Sequence, residues 1–145
     1  MLADYGDHRY GLLHLGLQEY LTACHIASQG TALLDELCRH AGEEWWQEVF
    51  LLLAGLPGHA VFTPLLGRLL ASDALLSQAD LLRACLDEAA QPDLTPFAEA
   101  LDLGVSPERQ AAALRLVRGR GDPHLEPSVR ALLHSPNADV KALAE

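Results

Sequence analysis

Four times along the chain a hydroxyl-bearing residue stands directly before a proline: Thr63-Pro64, Thr95-Pro96, Ser106-Pro107 and Ser135-Pro136. A Ser or Thr can cap the free N–H groups of a first helical turn, and a proline in that turn gives up an N–H that has no intrahelical partner. Each pair therefore predicts a helix start and stops any helix from running through it. Ser77, with Asp80 three residues later and Leu81, Leu82, Cys85 and Leu86 beyond, predicts a fifth start of the capping-box kind. Only short helices fit between these marks.

Upstream, Leu13, Leu17, Tyr20, Leu21, Cys24 and Ala27 recur at the spacing of one helical face, which predicts a helix over 14–28 closed by Gly30. Ala32, Leu33, Leu37 and Cys38 mark a second helix ending at Gly42. Trp46, Val49, Phe50 and Leu53 mark a third, opened by Glu43 and Glu44 at the positive end of its dipole and closed by Gly55, Pro57 and Gly58. No segment alternates long enough to indicate a sheet. The expected fold class is all-α, with eight or so short helices.

The chain has 145 residues, half of them apolar and 6% aromatic, which suits one helical domain with a sizeable core. Its formal charge of -10 repels a phosphate backbone, so general nucleic-acid binding is not expected. The charge is uneven. Residues 1–104 carry four Arg and 15 acids, whereas residues 105–145 carry five Arg, one Lys and five acids. Cys24, Cys38 and Cys85 are odd in number and lack a CxxC spacing, which points to free thiols in a reducing, cytoplasmic setting. The longest apolar stretch, near 49–58, is too short for a membrane span.

After Val105 the sequence SPERQAAALRL, a turn at Gly119 to Pro123, and a helix around Pro127 to His134 make one unit. SPNADVKALAE begins a second, with Lys141 standing 32 residues after Arg109. This weak repeat predicts a helical bundle continuing into an α-solenoid of HEAT-like helix pairs, since such pairs bury their apolar sides only by stacking. The incomplete second unit leads us to expect a C-terminal piece of a longer protein.

The stretch YGLLHLGLQEYLTACHIA (Tyr10 to Ala27) resembles a motif of the NACHT class of STAND signalling NTPases, in which an apolar or aromatic run, a His, and a Gln-Glu-aromatic-Leu group follow the nucleotide-binding module. WQEVFLLLAG (Trp46 to Gly55) resembles a second motif found downstream in bacterial members. The resemblance covers about residues 10–56. It divides the chain into a NACHT-associated segment (1–60), connecting helices (61–104) and truncated HEAT-like repeats (105–145). It implies that His14 approaches the β-phosphate of ADP in the parent protein, and that Gln18 and Glu19 make contacts between subdomains. Leu13 stands where the family often has phenylalanine before the His.

The resemblance further implies an upstream ATP- or ADP-binding module, whose P-loop signature does not occur here. This chain alone is therefore expected to be non-catalytic and without a cofactor, acting as a regulatory or sensor segment that couples ligand or protein recognition to a nucleotide switch, with oligomerisation of the parent and an output such as bacterial defence. The alternative is a freestanding α-helical adaptor for protein–protein interaction.

Other chemistry is weaker. Cys24, His25, Cys38 and His40 lack the close pairs of a structural zinc site, and His14 and His25 lie about 16 Å apart along a helix. No metal is expected. Cys24 and His25, adjacent on a helix, point apart and make no hydrolase pair, and the acidic doublets Asp35-Glu36, Glu43-Glu44 and Asp87-Glu88 read as solvated helix ends. Trp45 and Trp46 could anchor a partner, but the spacing to Val49, Phe50 and Leu53 favours a core position. Arg115, Arg118, Arg120 and Arg130 form a possible partner surface or, more simply, a solvated face balancing Glu108, Asp122 and Glu126.

Overall fold

In the computed structural model, residues 14–57 and 60–145 are described with their side chains, and residues 2–4 and 10–12 by their backbone. Leu13 and Gly58, which entered the sequence reading, lie outside the described residues. The strands β1 (Leu2–Asp4) and β2 (Tyr10–Leu12) pair antiparallel, with Leu2 opposite Leu12 and Asp4 opposite Tyr10. This ribbon was not expected; three residues per strand are too few for alternation to show. Every other described element is a helix.

The first three helices are α1 (Leu15–Ser28), α2 (Leu34–Arg39) and α3 (Glu44–Gly55), close to their predicted spans. Gly30, at φ +61°, takes the left-handed turn that leads the chain out of α1. There follow α4 (Phe62–Ala71), α5 (Ala74–Ser77), α6 (Ala79–Glu88), α7 (Phe97–Ala100), α8 (Pro107–Val117), α9 (Glu126–Leu132) and α10 (Ala138–Ala144).

The hydroxyl–proline signals locate these starts unevenly. Ser106 and Pro107 open α8 at the predicted position, although the Ser106 side chain makes no capping hydrogen bond. Helix α4 begins one residue ahead of Thr63-Pro64, because proline is tolerated anywhere in a first turn. Thr95-Pro96 forms a turn leading into α7, and Asp93 accepts from the Thr95 N–H at 3.0 Å. At α10 the cap is Asn137, whose Oδ1 accepts from the Asp139 and Val140 N–H groups at 3.0 and 3.1 Å; Ser135 accepts only from the Asn137 N–H. The capping box at Ser77 does not form. Ser77 ends α5 and donates back to the Asp73 carbonyl, a bond that suits a helix end better than a start.

Helices α4 and α6 bury leucine-rich stripes. Leu65, Leu66, Leu69 and Leu70 of α4 and Leu81, Leu82, Cys85 and Leu86 of α6 follow the i, i+1, i+4, i+5 spacing and are buried, as are Phe50, Phe97 and Leu132. The packing runs from α1 to α3, α3 to α6, α6 to α8 and α8 to α10, and from α2 to α4, α4 to α7 and α7 to α8, so the two paths meet at α8; α9 packs on α10. Helix α5 touches α4, α6 and α8.

Three arginines tie distant segments together. Arg68 on α4 donates to Asp35 of α2 at 2.5 Å. Arg109 on α8 donates to the Leu70 and Ser72 carbonyls at the end of α4, at 2.5 and 3.0 Å. Arg120 donates to the Leu86 carbonyl at 3.3 Å and pairs with Asp87, both at the end of α6. Helix ends leave carbonyls unsatisfied, and a guanidinium supplies both donors and the charge that the negative end of the dipole favours. Arg109→Ala and Arg120→Ala should each lower the unfolding free energy by about 1–3 kcal/mol in urea titration. Arg118→Ala, which removes an exposed side chain without a partner, should change it by less than about 0.5 kcal/mol.

Candidate functional site

Helix α1 turns an unusual face inward. Its buried residues are Glu19, Ala23, Ile26 and Ala27, three of them small or acidic. At 100° per residue, Leu17, Tyr20, Leu21 and Cys24 fall on a different stripe. Leu17, Tyr20 and Leu21 are exposed, at 39%, 45% and 47%, and Cys24 is half-buried. Of the described apolar positions that mark this helix in the sequence, Leu17, Tyr20 and Leu21 lie on its outer surface, Cys24 is half-buried and Ala27 is buried. The stripe is uncharged and runs over two turns, whereas isolated exposed leucines are ordinary on any protein.

His14 stands at the head of this helix on extended backbone, φ -103° and ψ 113°, and its carbonyl accepts from the Leu17 and Gln18 N–H groups at 3.1 and 3.2 Å. The imidazole is exposed and leans over Gly16, where an added Cβ would sit 3.3 Å from its Cε1. Gln18 is half-buried. Glu19 is 91% enclosed on the inward side, while Gln18 lies between the two faces. The neighbouring Cys24, one turn on, raises the Tyr20 phenol above its ordinary range.

The arginines singled out in the sequence do not share one surface. Arg120 is committed to α6, and Arg130 pairs with Glu126 one turn away. Arg115 lines a groove with α5, α6 and α10, while Arg118 and Arg130 border a different hollow between α8, α9 and the end of α10. The two tryptophans also divide. Trp46 packs against the core and stacks on His40 with ring centroids 4.7 Å apart, while Trp45 stands edge-on to Trp46 at 4.9 Å and is exposed.

His40 lies between two carboxylates, with its Nδ1 2.8 Å from Glu43 and its Nε2 3.5 Å from Glu36. The hydrogen bond to Glu43 raises its pKa above the ordinary 6.5. Because these partners are gained on folding, the stabilisation is complete below the ordinary value and fades as the pH rises through the elevated folded one. An NMR titration of the His40 ring should give a midpoint above 6.5, and Glu43→Gln should move it down.

The three cysteines are unpaired. Burial pushes the Cys85 thiol up to about 12, with Glu88 adding to the effect, and burial also raises Cys38. A thiol held so far above neutral pH yields almost no thiolate. Among the described residues no group of three His, Cys, Asp or Glu side chains is placed to hold a metal ion, and no described helix is long and apolar enough to cross a membrane. In comparisons with known proteins, no family model, curated protein or solved structure matches the chain.

With a thiol reagent at neutral pH, Cys24 should react in the folded chain, while Cys85 should react only on unfolding. Mass mapping of the labelled sites checks the order. Cys24 thus offers a reporter placed within the exposed stripe.

Proposed function

We propose that this chain is a non-catalytic regulatory segment of a NACHT-class STAND NTPase, docking through α1 on the nucleotide-binding module. The observation that carries this reading is the outward apolar stripe Leu17, Tyr20, Leu21 and Cys24, with the exposed His14 at its head. A helix that leaves three large apolar side chains exposed along one stripe has a second surface to cover, and the NACHT resemblance spans this same helix. His14, able to donate a hydrogen bond to an anion, would face the β-phosphate of ADP across that contact. Gln18 and Glu19 would fix the helix against its surroundings.

The helices from α8 onward would act as HEAT-like repeats that receive a protein or ligand, with α4 to α7 connecting them to the first three helices. The packing of α10 on both α8 and α9 supports this arrangement. A trigger that binds the open state more tightly than the closed one would shift the switch by that difference and release ADP. The cytoplasmic setting and a signalling or defence output belong to the same proposal.

The test uses the polypeptide that carries this segment together with its NTPase module. His14→Ala should speed ADP release, Leu17→Asp with Leu21→Asp should uncouple the two parts, and Cys24 should be shielded from thiol reagent in the ADP state. An upstream reading frame without a P-loop, or unchanged ADP release together with an equally reactive Cys24, would overturn the reading in favour of the freestanding adaptor.

A further inference from the structure

Among the described residues, most arginines are already engaged: Arg39 with Glu36, Arg68 with Asp35, Arg109 with backbone carbonyls, Arg120 with Asp87 and Arg130 with Glu126. Arg83, Arg115 and Arg118 are exposed and have neither an ion pair nor a hydrogen bond. In a chain with twice as many acids as bases, an arginine without a carboxylate is a departure. Two of these three line one groove.

That groove, of about 390 Å³, runs between α5, α6, α8 and the start of α10. Its apolar surface includes Leu76, Ala79 and Ala112, and Leu76 is 52% exposed, the side chain of a leucine set outward on a four-residue helix. Leu76 and Ala79 also border a neighbouring hollow against α3, so the apolar ground continues past the groove. Arg83 comes from α6 and Arg115 from α8, two helices that pack together. A planar guanidinium beside an apolar surface binds carboxylate in two-pronged geometry, and the displaced water strengthens the contact.

The groove also carries Glu108 and Asp139, each in the first turn of its helix, where the positive end of the dipole offsets the charge. Glu108 precedes Arg115 by seven residues, about 10 Å along α8. Along α8 the groove wall therefore passes from acidic to basic, and the lining carries two carboxylates beside its two arginines, which disfavours a uniformly anionic polymer such as nucleic acid and favours a short ligand with local negative charge.

We infer that this groove captures a short protein segment in which an apolar side chain seats against Leu76 and Ala112 and adjacent carboxylates reach Arg83 and Arg115. This deepens the receiving role proposed for the later helices by giving the partner's chemistry. It concerns a surface separate from α1.

The test is selection of a random-sequence peptide library displayed on phage against the 145-residue chain, followed by fluorescence anisotropy of a labelled selected peptide. Recovered peptides should be enriched in Asp and Glu beside Leu, Ile or Phe, and their binding should weaken with added salt. Arg83→Glu and Arg115→Glu should each weaken it roughly tenfold, the scale of one charge-assisted contact, with helical circular dichroism unchanged. Leu76→Asp, a second route to the same site, should also weaken it, and Arg118→Glu should not.

No enrichment, enrichment of another composition, or equal binding by the Arg83→Glu, Arg115→Glu double variant would overturn the inference. Self-association in sedimentation that this double variant abolishes would overturn it in favour of a second copy as the occupant. Leu17→Asp with Leu21→Asp should leave peptide capture intact. Failure of the α1 docking reading and failure of the groove therefore give different results.

Discussion

No described helix exceeds 14 residues, and several have seven or fewer. Helices this short are marginal by themselves in water, because nucleation costs more than a few turns of hydrogen bonds return. Their persistence rests on burying apolar faces against one another. The arginine ties from α4, α8 and the turn after α8 reinforce this by anchoring helices to partners more than 30 residues away. Gln110, buried on α8, does the same at short range by donating to the Asp102 carbonyl at 2.7 Å.

The proposed contact surfaces are the places where this mutual burial is incomplete. Helix α1 packs on α3 and keeps Leu17, Tyr20 and Leu21 outside. The short α5 holds Leu75 wholly inside and leaves its neighbour Leu76 out. In both cases the apolar area is organised by a helix rather than scattered, which separates it from the incidental leucines of an ordinary surface.

The helical class and most helix positions were legible in the sequence because apolar spacing and proline placement act locally. Ser106-Pro107 marked α8 correctly. The capping signal at Ser77 misled because a hydroxyl can bond backward as readily as forward, and the same ambiguity put the start of α10 at Ser135 when Asn137 was the better acceptor. The orientation of α1 was not legible: periodicity identifies a stripe, and only the neighbouring helices decide which stripe they cover. The tie made by Arg120 was not legible either, since nothing in its local sequence announces Asp87 or the Leu86 carbonyl, and nothing around Arg83 announces the groove that it lines.

The branching of the packing has a mechanical consequence. Helix α8 leans on α5, α6, α7 and α10, whereas α1 leans chiefly on α3, so protection against hydrogen exchange should be greatest around α8 and fall toward α1. A push delivered at α1 is shared out where the packing paths meet, and how far it travels is set by the stiffness of the arginine cross-ties.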